Sequence, residues 1–490
     1  MNQPRTRLSK SRFCYGLQCL KQLWWRVHDS KAPELVAGPA LQAVFDRGHL
    51  VGERAQTEFA GGTLIRHDYW EVEKKVRDTR AALEAKAPAI YEASFQEDGV
   101  FVAVDVLERG RKGHTIVEVK SSSTVKEQYL PDVAIQLHVA RQAGIDARRG
   151  EVMHLNSACR YPDLSNLFVR QDVTAEAEAL LPDIPGHLKR MKKALAGKLP
   201  VVEVGPNCDE PYECPFKGRC MEPVPADHVS TLYSGRKLPE RLLAEGIERL
   251  KDIPENTALS APQARQVRAA KIGKVVVEEG LAKALRKLQA PVAYLDFETI
   301  NPAIPVWKGC GPYMQIPVQL SCHVVGARGA TTHHEHLADG SGDPRPALAE
   351  AVVRACAGAT TVVAYNASFE KRCLQHLADN VPSQRAALKA VIEKLVDLLP
   401  IVRDHVYHPD FGGGFGMKAV APALVEGLTY EGMEIGEGGL ASTVLEGLLL
   451  SGDDLSAAEQ QSLRRQLLDY CELDTLAMVK VVARLRELAA

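Results

Sequence analysis

The segment Tyr294–Thr299 carries two carboxylates, Asp296 and Glu298, at alternate positions near the end of an apolar run. In a β-strand, residues i and i+2 point to the same face of the sheet, so both side chains can reach one point. Burying carboxylates without a positive partner is costly in free energy. A divalent cation is such a partner, and the segment therefore predicts a strand that supports a metal site.

Two later segments supply further polar groups for the same site. They are Tyr365-Asn-Ala-Ser-Phe-Glu370 and Tyr470-Cys-Glu-Leu-Asp474. The tyrosine and aspartate of the second segment are four residues apart, so they share one face of a helix. In order and residue type, the three segments resemble the motifs of the DnaQ-like (DEDD) exonucleases in their tyrosine variant. The resemblance covers roughly residues 290–490 and implies an RNase H-like domain with 3′–5′ exonuclease activity.

The resemblance also implies a role for each of these residues. Three acids would bind two divalent ions, Mg²⁺ or Mn²⁺: Asp296, Glu298 and Asp474. Tyr470 would orient the attacking water. Glu370 stands where the family normally has Asp, and the longer carboxylate would either hold its metal through water or weaken the site. Asn366 would contact the substrate or anchor its loop, and Lys418 would touch a phosphate.

The N-terminal half contains a second set of charged residues on predicted strands. Asp105 follows the alternating run Gly99–Val104, and Glu118 and Lys120 close the run that begins at Thr115. Glu118 and Lys120 share a face by the same alternation. This D…E-x-K order resembles the PD-(D/E)XK nucleases, in which the acids hold a divalent ion and the lysine polarises the phosphate or the water.

Further positions extend that resemblance to nucleases of the RecB type. His49, in a predicted helix, matches their histidine, and Gln136 matches their glutamine. Ala140 stands where the family usually has a tyrosine, a departure that affects substrate positioning rather than metal binding. Asp132 follows the E-x-K motif, at an expected helix start, and is not assigned to the site.

A cluster of cysteines lies just downstream of these motifs. Cys208, Cys214 and Cys220 are evenly spaced, and three thiolates need a fourth ligand to close a zinc site or a four-iron cluster. Cys19 is the favoured fourth ligand, and Cys14 is the alternative. The arrangement resembles the iron–sulfur nucleases of the RecB and CRISPR-associated type. It implies a [4Fe–4S] cluster that joins the ends of the domain, with zinc at the same ligands as the alternative.

Two other motifs are set aside as main sites. The glycine-rich segment Gly412–Lys418 lacks the spacing of a phosphate-binding loop. The segment His333–His336 places two imidazoles on one face of a strand without a nearby third ligand in the sequence.

The charge is unevenly distributed, although the 490-residue chain has a formal net charge of only −2. Residues 1–26 include six basic and no acidic side chains, among them Arg5 and Arg7, and residues 189–193 and 262–288 are also basic. Three such runs favour contacts with phosphates, and the nuclease resemblance implies those of DNA. We expect no membrane association, because no apolar run approaches the roughly 20 residues needed to cross a bilayer. The N-terminus lacks a secretory signal, so a cytoplasmic location is expected.

Together these patterns predict an α/β protein in three parts. These are a PD-(D/E)XK restriction-endonuclease-like domain (1–225), a helical linker (226–289) and an RNase H-like exonuclease domain (290–490). In the first part the patterns predict helices over 8–28, 40–59, 131–144 and 176–196, and strands between 90 and 119. In the last part they predict strands over 292–298, 318–325, 331–337 and 360–365, helices over 345–358 and 367–379, and a final helix opening at Ser456.

The whole chain resembles a bacterial family that fuses an iron–sulfur RecB-type nuclease to a DnaQ-like exonuclease. The function this implies is metal-dependent hydrolysis of DNA at two centres, in repair or in defence against foreign DNA. The alternative is a nucleic-acid-binding iron–sulfur scaffold in which one or both centres are inactive.

Overall fold

The computed structural model describes residues 8–451 and 455–490, so Arg5 and Arg7 of the N-terminal basic run lie outside the described residues. The chain divides into two compact units. The first runs to Pro223 and also takes in Pro302–Met314, and the second comprises Val224–Asn301 and Gln315–Ala490. A short segment from the C-terminal half therefore belongs to the first unit, which the predicted boundaries do not anticipate.

The first unit is built on one seven-stranded sheet with the order β2-β3-β4-β5-β6-β7, and β1 pairs in parallel with β4. Its elements, in chain order, are β1 (Leu8–Ser9), α1 (Lys10–Gln18), α2 (Leu20–His28), α3 (Pro39–Gln56), β2 (Thr63–Leu64), α4 (Val72–Glu84), β3 (Ala89–Glu97), β4 (Val100–Gly110), β5 (Gly113–Lys120), α5 (Leu130–Gln142), β6 (Ala147–Leu155), β7 (Phe168–Asp172), α6 (Thr174–Leu180), α7 (Ile184–Ala196) and α8 (Lys217–Cys220).

Two predicted helices of this unit are each divided in two. The helix predicted over 8–28 is interrupted at Cys19, whose extended backbone ends α1 and begins α2. The helix predicted over 176–196 is divided at Leu181–Asp183, a tight turn that contains a proline. The helix α4 and the strands β6 and β7 were not predicted.

Helices cover both faces of the first unit's sheet. On one face, α1, α5 and α7 contribute to an apolar layer that includes Val102 and Ile116. On the other face, Ala55 of α3 and Phe59, just after that helix, belong to a smaller layer that includes Val117. The strands are therefore buried on both sides, and polar side chains among them need a specific reason to be there.

The regular alternation of β4 is interrupted at Asp105. Val104 and Leu107 both lie in the larger apolar layer although they are three residues apart. On β3, Glu92 lies between the residues that pair with Val106 and Val104, and its φ of 58° is rare for a residue other than glycine. The alternation of side chains is therefore interrupted on both strands at the same level of the sheet. Such irregularities are common in strands next to functional sites.

The second unit is built on a five-stranded sheet with the order β11-β10-β9-β12-β13, and β8 pairs with β14. Its elements, in chain order, are α9 (Leu238–Ala244), α10 (Ala261–Ile272), β8 (Val276–Val277), α11 (Leu281–Leu285), β9 (Val292–Ile300), β10 (Ile316–Val325), β11 (Thr331–Leu337), α12 (Arg345–Ala355), β12 (Thr361–Ala364), α13 (Ser368–Asn380), α14 (Arg385–Glu393), β13 (Leu395–Asp397), α15 (Leu398–His405), β14 (Val406–Tyr407), α16 (Met417–Leu424), α17 (Gly438–Leu450) and α18 (Ala457–Leu488). Strands β9, β10 and β11 form an antiparallel meander, and β12 and β13 run parallel to β9.

Strand β9 is buried on both faces. Leu295 and Phe297 pack into an apolar core with α12 and α13. Tyr294 faces the opposite way and packs in a second core with α18. Because side chains alternate, Asp296 and Glu298 lie on the same face as Tyr294, beneath the long helix α18.

The residues predicted to form a linker belong to the second unit. Their apolar side chains form a small core of their own, which includes Val229, Leu242 and Val267. Arg265 of α10 donates hydrogen bonds to the carbonyl oxygens of Arg403 and Asp404, and β8 pairs with β14. These contacts attach the helical region to the sheet domain. Within the described part of the chain, no helix has the length and apolar character needed to cross a bilayer.

The glycine-rich segment has a structural requirement at one position. Gly413 has a φ of 87°, and a Cβ there would overlap the carbonyl oxygen of Thr231. We expect Gly413→Ala to lower the free energy of unfolding by roughly 2–4 kcal/mol, through backbone strain and overlap. Gly414→Ala, where the space is open, should cost less than about 1 kcal/mol. Urea denaturation of the two variants measures the difference, and equal midpoints would contradict this explanation.

Candidate metal centres

Three carboxylates converge in the second unit. One oxygen from each of Asp296, Glu298 and Asp474 lies within 4.8 Å of the other two. The first two side chains come from β9, and the third comes from α18, which crosses this face of the sheet. The structure therefore brings Asp474 to two predicted metal ligands that lie more than 170 residues earlier in the sequence.

Burial and mutual repulsion make this group costly to ionise. Burial raises the pKa of Asp296 well above its ordinary value, and the carboxylates of Asp474 and Glu298 raise it further. The pKa of Glu298 rises to about 8 for the same reasons, although the Lys418 ammonium opposes the shift. The pKa of Asp474 is also raised by burial. Such a cluster is stabilised by added positive charge. Divalent cations that prefer oxygen ligands can supply that charge.

Helix α18 brings other groups to the cluster besides Asp474. Tyr470, one turn earlier, lies beside the same carboxylate and lowers its pKa, and the Sγ of Cys471 donates to Asp296 Oδ2 at 3.3 Å. Tyr430, which the sequence analysis did not identify, donates its hydroxyl to Asp474 Oδ1 at 2.7 Å. Burial beside these acids raises the pKa of both phenols, so both remain proton donors.

Glu370 lies near the three acids but is not part of the group whose oxygens lie within 4.8 Å of one another. It is buried at the start of α13 and contributes to the raised pKa of Asp296 and of Glu298. Its own pKa is raised to about 7, mainly by burial. Among the described residues, its Oε2 atom has no hydrogen-bond partner. A buried carboxylate oxygen without a partner beside three other acids fits a cation site.

The loop before Glu370 is anchored to the neighbouring strand. Asn366 is exposed, with a φ of 63°, a conformation that Asn tolerates better than most residues. Its backbone N–H donates to Asp397 Oδ1 at 3.0 Å, and the same carboxylate caps α15. Asp397, which the sequence analysis also did not identify, therefore fixes the loop that carries Asn366.

An open cavity of about 280 Å³ lies beside this cluster and is lined by Asp296, Asp474, Tyr365 and Lys418, among others. Lys418 lies in the first turn of α16, with its Nζ 5.1 Å from the centre of the Tyr470 ring. Lys418, the residue predicted to contact a phosphate, therefore lies at the rim of the acidic site.

In the first unit, Glu118 is surrounded by cationic and amide donors. Lys10 Nζ lies 2.8 and 2.9 Å from its two carboxylate oxygens, and Lys120 Nζ lies 2.7 Å from Oε1. The Nε2 atom of Gln136 donates to Oε2 at 2.7 Å. Burial would raise the pKa of Glu118, but the two lysines outweigh it and the pKa falls to about 2. Lys120 also donates to Asp132, at the start of α5, so this previously unassigned acid belongs to the network.

Two further carboxylates lie in this region, those of Asp105 and Glu92. Asp105 Oδ2 accepts a hydrogen bond from the backbone N–H of Val119 at 2.7 Å. Burial and the charge of Glu118 raise its pKa to about 7. Glu92 adds to that shift and lines the same cavity of about 1,040 Å³, as does the exposed His49 of α3. The predicted residues are thus brought together, with Lys10 and Glu92 as members that the motifs did not reveal.

The four predicted cysteine ligands line one small cavity, together with Trp25: Cys19, Cys208, Cys214 and Cys220. All four are free thiols. Trp25 packs against Phe216 at 5.1 Å between ring centres, beside Cys214. Cys14, the alternative ligand, donates instead to Asp132 at 3.1 Å.

The basic runs are partly engaged within the protein. Besides Lys10, Arg26 stacks on the ring of Tyr15 at 3.7 Å, and Arg265 pairs with Glu278 at 3.0 Å. Fewer of these charges than the sequence suggests are therefore available for phosphates.

Two comparisons with known proteins found similarity. Residues 293–416 match the family described as a domain of unknown function, DUF2779. The chain is also similar to a Mycoplasma pneumoniae (strain ATCC 29342 / M129 / Subtype 1) protein described as "Uncharacterized protein MG366 homolog". The two are 26% identical over 216 residues, which cover 40% of this chain. The chain spans only 32% of that protein's length. The family match includes Asp296, Glu298 and Glu370 but ends before Asp474.

The raised carboxyl pKa values predict how stability changes with pH. Folding favours the protonated form of Glu298, so metal-free protein should lose stability as the pH rises from about 4.5 to about 8. Glu298→Gln should be more stable than the wild type at about pH 8.5, by at most about 5 kcal/mol, and equal to it near pH 4. Urea denaturation in a chelator measures this. The exposed Glu426→Gln is the control, and the same pH profile for all three proteins would contradict the assignment.

Proposed function

We propose that this protein is a metal-dependent nuclease that hydrolyses DNA phosphodiester bonds at two centres. The observation that carries the proposal is the convergence of Asp296, Glu298 and Asp474 from β9 and α18. Four acids with raised pKa values, of which Glu298 and Glu370 are buried and Asp296 and Asp474 half-buried, form a site suited to divalent cations rather than to a folded core. The sheet order, an antiparallel meander followed by two parallel strands, supports an RNase H-like 3′–5′ exonuclease domain.

Each residue of the second unit's site would have a distinct role in the reaction. The acids would hold two Mg²⁺ or Mn²⁺ ions, which stabilise charge on the attacking and leaving oxygens when bound. Tyr470 would donate a hydrogen bond that orients the attacking water, because its phenol remains protonated beside Asp474. Lys418 would contact a substrate phosphate from the rim of the cavity, and the anchored loop at Asn366 would contact the nucleotide.

The first unit would supply a PD-(D/E)XK centre. Glu118 and Asp105 would hold a divalent cation, and Lys120 would stabilise the charge that develops on the phosphate. His49 lines the same large cavity, and Gln136 fixes one oxygen of Glu118. The cavity of about 1,040 Å³ matches the upper end of ligand-pocket volumes, which leaves room for a nucleotide of the substrate.

We further propose that the four cysteines hold a [4Fe–4S] cluster, with zinc as the alternative. Thiolates from the start and the end of the first unit's chain meet at one cavity, so a bound cluster would join those ends. Its function there would be structural.

One observation favours the alternative function, a nucleic-acid-binding scaffold. The Lys10 ammonium contacts both oxygens of Glu118, where a cation would bind. If that ion pair persists in the presence of divalent metal, the first unit binds nucleic acid without cutting it.

We expect the two centres to be separable by substitution. With single-stranded DNA labelled at either end and Mg²⁺ or Mn²⁺, Asp296→Asn should slow shortening from the 3′ end by roughly 100- to 1,000-fold or more. Asp105→Asn and Lys120→Ala should remove the remaining cleavage and leave the 3′ shortening intact. Glu335→Gln, exposed on β11, is the folded control. A wild-type protein that retards DNA in a gel without shortening it would exclude the nuclease and leave the scaffold.

For the cysteine site, protein purified without oxygen should be brown and absorb near 400 nm, as iron–sulfur clusters do. Cys214→Ser should abolish the colour and lower the melting temperature. Cys159→Ser, a buried thiol outside the cavity, should keep the colour. Colourless wild-type protein with one equivalent of zinc that Cys214→Ser removes would instead establish the zinc alternative.

A further inference from the structure

A second group of possible metal ligands lies in the second unit, on the same face of the sheet as the acid cluster. It consists of His323 on β10, His333 on β11 and Glu472 on α18, whose ligand atoms lie within 4.8 Å of one another. His323 and His333 pair across the two antiparallel strands. Their rings stack with centres 4.4 Å apart and an angle of 25° between the planes. The sequence analysis considered only the segment His333–His336, in which His334 and His336 share a face, whereas the partners of His333 come from β10 and α18.

A chain of hydrogen bonds links both rings to α18. The Oγ1 of Thr475 lies 3.0 Å from the carbonyl oxygen of Glu472, to which its hydroxyl can donate its single hydrogen. In the arrangement in which it does so, His323 Nδ1–H donates to Thr475 at 2.8 Å, and Ser321 Oγ–H does the same at 2.8 Å. Ser321 then accepts from His333 Nε2–H at 2.9 Å.

This proton count leaves each ring with one nitrogen lone pair directed away from the hydrogen-bond chain. The lone pairs are on Nε2 of His323 and Nδ1 of His333. The latter lies 3.8 Å from Glu472 Oε1, while the other oxygen of Glu472 lies 3.8 Å from the Arg465 guanidinium. Metal-binding histidines usually show this arrangement, in which one ring nitrogen is held by a hydrogen bond and the other faces the ion.

We propose that His323, His333 and Glu472 form a zinc site, separate from the acid cluster. Two imidazoles and one carboxylate are a common zinc ligand set, with a fourth position left to water. Imidazole nitrogen favours zinc over Mg²⁺, whereas the all-carboxylate cluster favours Mg²⁺ or Mn²⁺. His333 and Glu472 keep part of their side-chain surface exposed, so the ion can enter from solvent.

The site would hold α18 in place. Glu472 lies between Tyr470 and Asp474, and its two partners lie on two different strands. A bound zinc ion would therefore tie the middle of this helix to β10 and β11. This proposal does not depend on nuclease activity, because it concerns different residues and requires no DNA.

Zinc content of the full chain tests the proposal. After treatment with a chelator, reloading with Zn²⁺ and gel filtration, wild-type protein should hold about one zinc per chain more than His333→Ala or Glu472→Gln. Zinc should raise the melting temperature of the wild type by several degrees more than that of either variant. Any metal at the cysteines is common to all three proteins and cancels in the comparison.

Two control variants make the outcome specific. His334→Ala removes a neighbouring imidazole that pairs with Cys322 and faces the other side of the sheet, and it should retain the zinc. Asp296→Asn removes one carboxylate of the acid cluster and should also retain the zinc. Cobalt loading offers a second readout, since the visible bands of Co²⁺ should disappear with His333→Ala. Equal zinc content in the wild type, His333→Ala and Glu472→Gln would overturn the proposal, and so would loss of the zinc in Asp296→Asn.

Discussion

The second unit depends on holding several carboxylates together against their own repulsion. Asp474 reaches Asp296 and Glu298 only because α18 lies across the sheet, and burial raises the pKa of each acid there. Unfavourable electrostatics of this kind must be offset by contacts elsewhere along the helix. Those contacts are mainly apolar, in the core that includes Tyr294 and Leu485.

Polar contacts also fix the helix at its two ends. Near its start, Arg464 donates to the carbonyl oxygens of Leu337 and Ala338, and the buried Gln319 donates to the carbonyl of Leu467 at 2.7 Å. Near its end, Arg486 donates to the carbonyl of Leu288. The acid cluster lies between these anchors. These contacts oppose a movement of the helix that would separate the carboxylates, so their repulsion is relieved by protonation or by a bound cation.

The two units balance negative charge in different ways. In the first, Lys10 and Lys120 hold Glu118 ionised, and only Asp105 keeps a raised pKa. In the second, Lys418 is exposed and opposes the shift of Glu298 without cancelling it. The acids of the second unit thus have the stronger need for added cations, and metal affinity should be higher there.

The sequence predicted the parts of both centres that depend on local periodicity. Alternation on a strand placed Asp296 beside Glu298, and a four-residue spacing placed Tyr470 beside Asp474. The final helix was also predicted from local chemistry, since the Ser456 and Glu459 side chains form the reciprocal capping bonds expected of that spacing. Each of these features can be predicted from the residues of a single helix or strand.

The features that the sequence did not predict depend on how distant elements pack. Lys10 meets Glu118 because α1 packs beside β4, and Tyr430 reaches Asp474 from an irregular segment without a motif. The pairing of His323 with His333 follows from the register of β10 and β11, which a list of residue types does not specify. Pro302–Met314 joins the first unit through contacts such as that of Tyr161 N–H with the carbonyl of Cys310, at 2.9 Å.

One turn of α18 takes part in both sites of the second unit, and helix geometry explains how. Successive residues are rotated by about 100°, so Tyr470 and Asp474 share a face, and Cys471 and Thr475 share the next. Cys471 donates to Asp296, while Thr475 bonds Ser321 and His323. A small rotation of the helix would move these groups together. An ion held by the two histidines and Glu472 would therefore set the position of the acids without touching them, and imidazole and carboxylate ligands would direct different metals to the two sites.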